Sequence, residues 1–178
     1  MTELQAYNLC LQAVSQAAIN TISVADPDVA EIANHLAQAK RSVLQMGWLF
    51  NTDTVDLEVD GNSKVSVAEY LKVYLPDGLT VRGGYVWQPE TSSYYDQDIN
   101  SAQCVVDVAW TDIPEEGQQA IAHKAAVSYL MQIKRDDFTS LQLWQMKSVN
   151  RMAALELLYP TDYGDATGGS SVDNNLNI

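Results

Sequence analysis

The sequence predicts an α+β fold, a helical bundle formed by the N- and C-terminal helices with an antiparallel β region inserted between them. Apolar residues recur every three or four positions over the first 46 residues and again from Ile113 to Tyr159. Between those stretches the period falls to two, as in Val55, Leu57 and Val59 alternating with Asp56, Glu58 and Asp60. Turn chemistry at Gly47, Gly61-Asn62, Pro76-Asp77-Gly78 and Gly83-Gly84 punctuates the change. This divides the chain into a bundle of residues 1–47 and 111–160, a β region of 48–110 and a flexible tail of 161–178.

In the first helix Leu4, Tyr7, Leu11, Val14 and Ala18 lay one stripe that should run to about Asn20. Asp26-Pro27 starts the second. The Asp can accept from free N–H groups there, and Pro fits a first turn whose N–H has no partner. Val29, Ile32, Leu36, Ala39, Val43 and Met46 then repeat the alternation, and Lys40-Arg41 near the C-terminus offsets the dipole. Two helices with a short connection are expected to pack as an antiparallel hairpin. Gly47 relieves the left-handed conformation that ends a helix, and Trp48 and Phe50 can pin the exit to a core.

Beyond Gly61-Asn62, strands over Tyr70–Leu75 and Leu79–Arg82 flank Pro76-Asp77-Gly78 in the pattern of a hairpin. Gly83-Gly84 interrupts β-type sequence and reads as a bulge or tight bend before a short strand at Tyr85–Trp87. Gln88 to Ser101, with Tyr94-Tyr95, reads as a long loop, and Gln103 to Trp110 as a Val-rich central strand. Ile113-Pro114-Glu115-Glu116, with Asp112 as cap, opens an Ala-rich helix to about Lys134. Asp136-Asp137 breaks and recaps the chain. Phe138, Leu141, Met146, Met152, Leu155 and Leu158 carry a fourth helix to Tyr159, which Pro160 stops.

The net charge of −13, from 23 acidic against 10 basic residues, disfavours a protein that grips phosphate backbones, because such binding rests on clustered Lys and Arg. Cys10 and Cys104 have no zinc or disulfide spacing and read as reduced structural residues. There is no basic-then-apolar leader, and no apolar run approaches the ~20 residues that span a bilayer, so a soluble product made in the cytosol is expected.

No catalytic, cofactor or metal residues stand out. His35 and His123 lack partners at ligand spacing, and Asp26/Asp28, Asp96/Asp98 and Asp136/Asp137 do not continue into a calcium loop. Glu115-Glu116 are adjacent on a helix, so they point ~100° apart and cannot share an acid–base site. Trp48, Trp87, Trp110 and Trp144 sit near element ends, as core packing or as the lining of a groove. Arg82 is either a surface ion pair or the fixed half of a pair between subunits. Together with Gly83 and Gly84, which permit close backbone approach, and the aromatics Tyr94 and Tyr95, it makes up the candidate interface.

Met46-Gly47-Trp48-Leu49-Phe50-Asn51, Arg82-Gly83-Gly84-Tyr85-Val86, and Ile113-Pro114-Glu115 before an Ala-rich helix, taken in order over residues 1 to 160, resemble the tail tubular protein A family, the adaptor or gatekeeper proteins of T7-like short-tailed bacteriophages. The resemblance implies a non-enzymatic virion protein made in the host cytoplasm, a homo-oligomeric, dodecameric ring between the portal protein and a tail nozzle protein similar to tail tubular protein B. Double-stranded DNA would pass through its channel without specific binding, and no cofactor or membrane is involved. On this reading the helical layer docks on the portal, the Tyr94-Tyr95 loop faces the nozzle, and the tail from Thr161 orders on a neighbour. Two other classes share these features, a tail-associated cell-wall hydrolase, which needs two carboxylates ~5–10 Å apart in a cleft, and a head-completion connector of another tail type.

Overall fold

The structure, a computed structural model, describes residues 1–135 and 137–161. It separates into two compact units. One joins Met1–Thr52 to the chain from Val105 through the last helix, and the other is built on Asp53–Cys104.

The first unit holds four helices, α1 (Glu3–Ala13), α2 (Pro27–Leu44), α3 (Glu115–Ile133) and α4 (Phe138–Leu158). The bundle forms around α3. Gly117, Ala120, Ile121, Ala122, Ala125, Ala126, Tyr129 and Leu130 bury almost every face of it, and their small side chains let α1, α2 and α4 each pack closely against it. Gly117 shows how tight this is, since a Cβ there would lie 2.7 Å from Ile113 Cγ2. α1 and α2 therefore touch each other only slightly, and the expected two-helix hairpin is replaced by two helices that share α3 as their main partner.

The N-termini follow the cap chemistry. Asp26 Oδ1 accepts from Asp28 N at 2.9 Å with Pro27 in the first turn, and Asp137 Oδ1 accepts from Ser140 N at 3.0 Å. Asp112 is not the cap of α3. It ends a short 3-10 turn, Trp110–Asp112, and Pro114 occupies the capping position with no side-chain acceptor.

α1 stops seven residues before the expected Asn20. Ser15 is left-handed (φ 63°), Gln16 N donates to Leu11 O and Ser15 N to Gln12 O, which is a Schellman closure built without glycine. The exit from α2 uses Gly47 at φ 77°. Trp48 behind it is fully buried and its Nε1 donates to Val43 O at 2.7 Å. Asn51, also fully buried, completes the exit. Its Oδ1 accepts from Trp48 N, and its Nδ2 donates to Leu44 O and Val106 O at 3.0 and 3.1 Å.

The second unit has six short strands, β1 (Thr52–Leu57), β2 (Lys72–Tyr74), β3 (Thr80–Arg82), β4 (Tyr85–Gln88), β5 (Ser93–Tyr94) and β6 (Ile99–Val105), in two three-stranded sheets ordered β1-β6-β2 and β3-β4-β5. Leu57, Val65, Val67, Val86, Ile99, Ala102 and Cys104 form its core. β2 and β3 do not make the expected hairpin. The turn at Gly78 (φ 84°) forms, but it passes the chain from one sheet to the other. The stretch 88–101 is not one loop, because it contains β5 and the start of β6. β6 is central as expected, yet it lies earlier than Gln103–Trp110 and ends at Val105.

Candidate functional site

The β3-β4-β5 sheet carries the densest grouping of the residues singled out in the sequence. Gly83 and Gly84 have φ of 60° and 82°, and Arg82 pairs with Tyr85 across them. Two left-handed residues between paired strand ends make a two-residue hairpin of the type whose twist matches the strands, so the glycines form a turn and not a bulge. Gly84 meets a second demand. A Cβ on it would come within 3.1 Å of Ala68 Cβ, and its carbonyl accepts from Val67 N at 2.8 Å.

The hairpin register decides what the sheet presents. Along β4, Val86 is fully buried while Tyr85 and Trp87 point to the opposite face. Trp87 pairs with Tyr94 on β5, and Arg82 reaches from β3 to the same face. The result is a continuous ladder of cations and rings. The Arg82 guanidinium carbon lies 4.7 Å from the Trp87 centroid, Trp87 meets Tyr94 edge-on at 5.1 Å, Tyr94 meets Tyr85 at 5.8 Å, and Lys64 Nζ caps Tyr94 and Tyr85 at 4.2 and 5.3 Å. Among the described residues neither cation lies within ion-pair distance of a carboxylate.

The structure brings Arg82, Gly83, Gly84 and Tyr94 together but separates Tyr95 from them. Tyr95 packs against the β core, and its N–H donates to Val86 O at 3.0 Å. Adjacent residues on a strand face opposite ways, so one Tyr of the pair supports the sheet and the other is displayed. Tyr85, Trp87 and Lys64 are the members that sequence reasoning missed as interface residues. The alternation of Tyr85-Val86-Trp87 was the available signal for Trp87, and nothing local pointed to Lys64, which joins from a separate loop.

The other candidates have structural partners. His35 shares hydrogen bonds with Ser128 Oγ at 2.9 Å and Gln132 Oε1 at 2.8 Å. His123 lies against Trp144, its Nδ1 2.8 Å from Gln119 O, and burial, with Arg151 and Lys147 nearby, pushes its pKa below the usual histidine value. Asp98 Oδ1 accepts from Val59 N, and Asp28 Oδ2 from Gln16 Nε2. Asp136 lies outside the described residues. Glu115 and Glu116 occupy the first turn of α3, where the dipole favours them. Trp48 and Trp144 are core residues, Trp87 belongs to the ladder, and Trp110 is half-buried with Nε1 donating to Met1 O. Cys10 and Cys104 are free and buried, and burial raises their thiols to about 12 and about 11, away from reactivity at neutral pH.

Partly buried aromatics with an Arg and a Lys stacked on them, and, among the described residues, no carboxylate within ion-pair distance of either cation, suit a partner that offers carboxylates and flat apolar groups. The profile of a family described as Tail tubular protein matches residues 4–163. A curated Tail tubular protein A of Klebsiella phage KP34 is 30% identical over 131 residues, which cover 69% of this chain and 68% of that protein.

Proposed function

This chain belongs to the tail tubular protein family of bacteriophage tails, and from that premise we propose that it is the adaptor subunit of a ring joining the portal protein to the tail nozzle protein. The ring, dodecameric by family resemblance, extends the channel through which double-stranded DNA is packaged, retained and ejected. It performs no chemistry, and its residues serve to assemble and to line.

The observation that carries the reading beyond family membership is charge. A net −13 sits badly with any role that holds DNA but well with a wall that DNA must slide past, because an acidic surface repels phosphates and leaves no counterion-release gain for sticking. The β unit takes part in this with nine acidic residues against three basic over 53–104, and two of those three are the ladder cations Lys64 and Arg82. Its only concentrated positive charge is thus committed to one sheet face. That supports a division of labour in which the helical unit contacts the portal and the ladder contacts the nozzle, with Arg82 and the Gly83-Gly84 turn near a subunit boundary. The tail from Thr161, which this scheme expects to order on a neighbour, lies outside the described residues after Thr161 itself.

Native mass measurement of the chain purified with a portal tests the reading. A closed ring that copurifies with the portal is expected, and a chain that neither forms rings nor binds the portal overturns it. In parallel, duplex DNA at physiological salt should show no binding in an anisotropy titration. An affinity in the range of ordinary nonspecific binders, ~10⁻⁴–10⁻⁶ M or tighter, contradicts the sliding-wall role.

A further inference from the structure

The side of α4 that faces α3 holds cations that the bundle does not use. Trp144, Lys147 and Arg151 recur at spacings of three and four residues and so share one face of the helix. With Asn150, His123 of α3 and Gln12 of α1 they line a cleft of about 390 Å³ among the three helices. Trp144 is buried against His123, their ring centroids 5.8 Å apart, and Lys147 Nζ lies over the indole at 4.3 Å from its centroid. That stacking fixes the lysine at the cleft.

The charge at this cleft is unbalanced. The chain has 23 acidic residues against 10 basic, yet among the described residues no carboxylate lies within ion-pair distance of Lys147 or Arg151. Like charges four residues apart on a helix disfavour each other, and both act on a histidine that is only 8% exposed. His123 Nδ1 stands 2.8 Å from Gln119 O, and a carbonyl only accepts, so Nδ1 carries the proton of the neutral ring. Among the described residues Nε2 has no hydrogen-bond partner. It holds a lone pair in the neutral ring and becomes a donor when the ring is protonated.

We propose that this cleft binds a doubly charged tetrahedral oxyanion, a phosphate or phosphomonoester, with Lys147 and Arg151 supplying the charge and Gln12, Asn150 and His123 Nε2 further donors. Groups that converge from three helices suit four oxygens around one centre better than the single plane of a carboxylate. A phosphodiester brings one charge per group and a long polyanion that the acidic chain repels, so duplex DNA is not the ligand. Binding is linked to a proton, because the Nε2 lone pair repels the anion and the protonated nitrogen donates to it. The charged groups facing His123 are Lys147 and Arg151 of α4, and α1 brings no titratable group to the cleft. On α3 itself Glu116 lies two turns earlier, and Lys124 is engaged with Ser42 Oγ at 2.7 Å. The site lies within the helical unit and does not depend on the ring reading.

Isothermal titration calorimetry of the full chain with sodium sulfate at constant ionic strength tests the site, because sulfate, unlike phosphate, does not itself titrate across the range where histidine does. Saturable binding of one sulfate per chain is expected, tighter at about pH 6 than at about pH 7.5. Repeating the titration in buffers of different ionisation enthalpy should show part of a proton taken up with each sulfate. Lys147→Gln combined with Arg151→Gln should weaken binding by about tenfold or more, with the helical circular dichroism signal unchanged. His123→Gln should still bind sulfate but take up no proton and lose the pH dependence. Displacement of sulfate by inorganic phosphate but not by ribose 5-phosphate assigns the free ion, and tighter displacement by ribose 5-phosphate assigns a phosphomonoester. No saturable sulfate binding at either pH, displacement by neither phosphate, or a double variant that binds as the wild type does overturns the site. Proton uptake that persists in His123→Gln overturns the role given to that histidine.

Discussion

The two units place their largest aromatic residues differently. In the helical unit Trp48, Tyr129 and Trp144 point inward, and the central helix is lined with alanines so that neighbours can approach it. In the β unit the core is Val, Leu, Ile, Ala and Cys, while Tyr85, Trp87 and Tyr94 stand on the outer face of a three-stranded sheet under Arg82 and Lys64. Large rings supply the most burial per residue in the first case and the most contact area per ordered side chain in the second. On the proposed reading the difference separates stability from recognition, a separation that substitutions in the two units can break.

The largest effect is expected in the helical unit. Trp48→Ala removes a fully buried indole together with its hydrogen bond to Val43 O, so chemical denaturation should show a loss of ~3–5 kcal/mol. In the β unit the hairpin turn is the weak point. Gly84→Ala forces a side chain into a left-handed residue 3.1 Å from Ala68 Cβ, and should cost at least ~1–2 kcal/mol, read as faster amide exchange in β3 and β4.

The adjacent tyrosines make the sharpest internal contrast. Tyr95→Ala opens the β core and should cost ~1–3 kcal/mol, whereas Tyr94→Ala loses two edge contacts with rings and should cost ~1 kcal/mol or less. Equal losses of stability from the two variants would remove the distinction between supporting and displayed residues.

The smallest effect is a pH dependence confined to the helical unit. The folded pKa of His123 lies below the ordinary 6.5, so the unfolded chain takes up its proton first as pH falls. The stability due to neutral His123 is therefore complete above about pH 6.5 and is lost as pH drops below it through the folded pKa. His123→Gln should flatten thermal stability across that window, and an unchanged slope would show that other groups produce it.

Much of this was legible in the chain. Asp26-Pro27, Gly47 and Pro160 mark helix boundaries by backbone chemistry that needs no tertiary context; α2 starts at Pro27 itself and ends at Leu44, three residues before Gly47, and α4 ends at Leu158, two before Pro160. The end of α1 was not legible, because a serine takes the left-handed position where glycine is the usual sign. Strand pairing was also hidden. Pro76-Asp77-Gly78 predicts a turn but cannot say whether the strands around it pair with each other or with β6 and β4, which is decided by long-range packing. For the site, Arg82, Gly83, Gly84 and Tyr94 were visible as unusual residues. Their union with Trp87 and Lys64 required the register of two hairpins and a loop from elsewhere in the unit. The period of α4 was read correctly as helical, yet periodicity could not tell that half of its apolar residues face away from α3.

The central claim is that the ladder recognises a partner without holding the fold together, and capture of the nozzle protein by the assembled chain tests it most directly. The double variant Arg82→Ala/Trp87→Ala should lose nozzle capture by about tenfold or more, as expected for an aromatic–Arg hot spot. Portal capture and melting temperature should stay at wild-type values. Undiminished nozzle capture, or a loss that appears only together with a lowered melting temperature, would contradict the account.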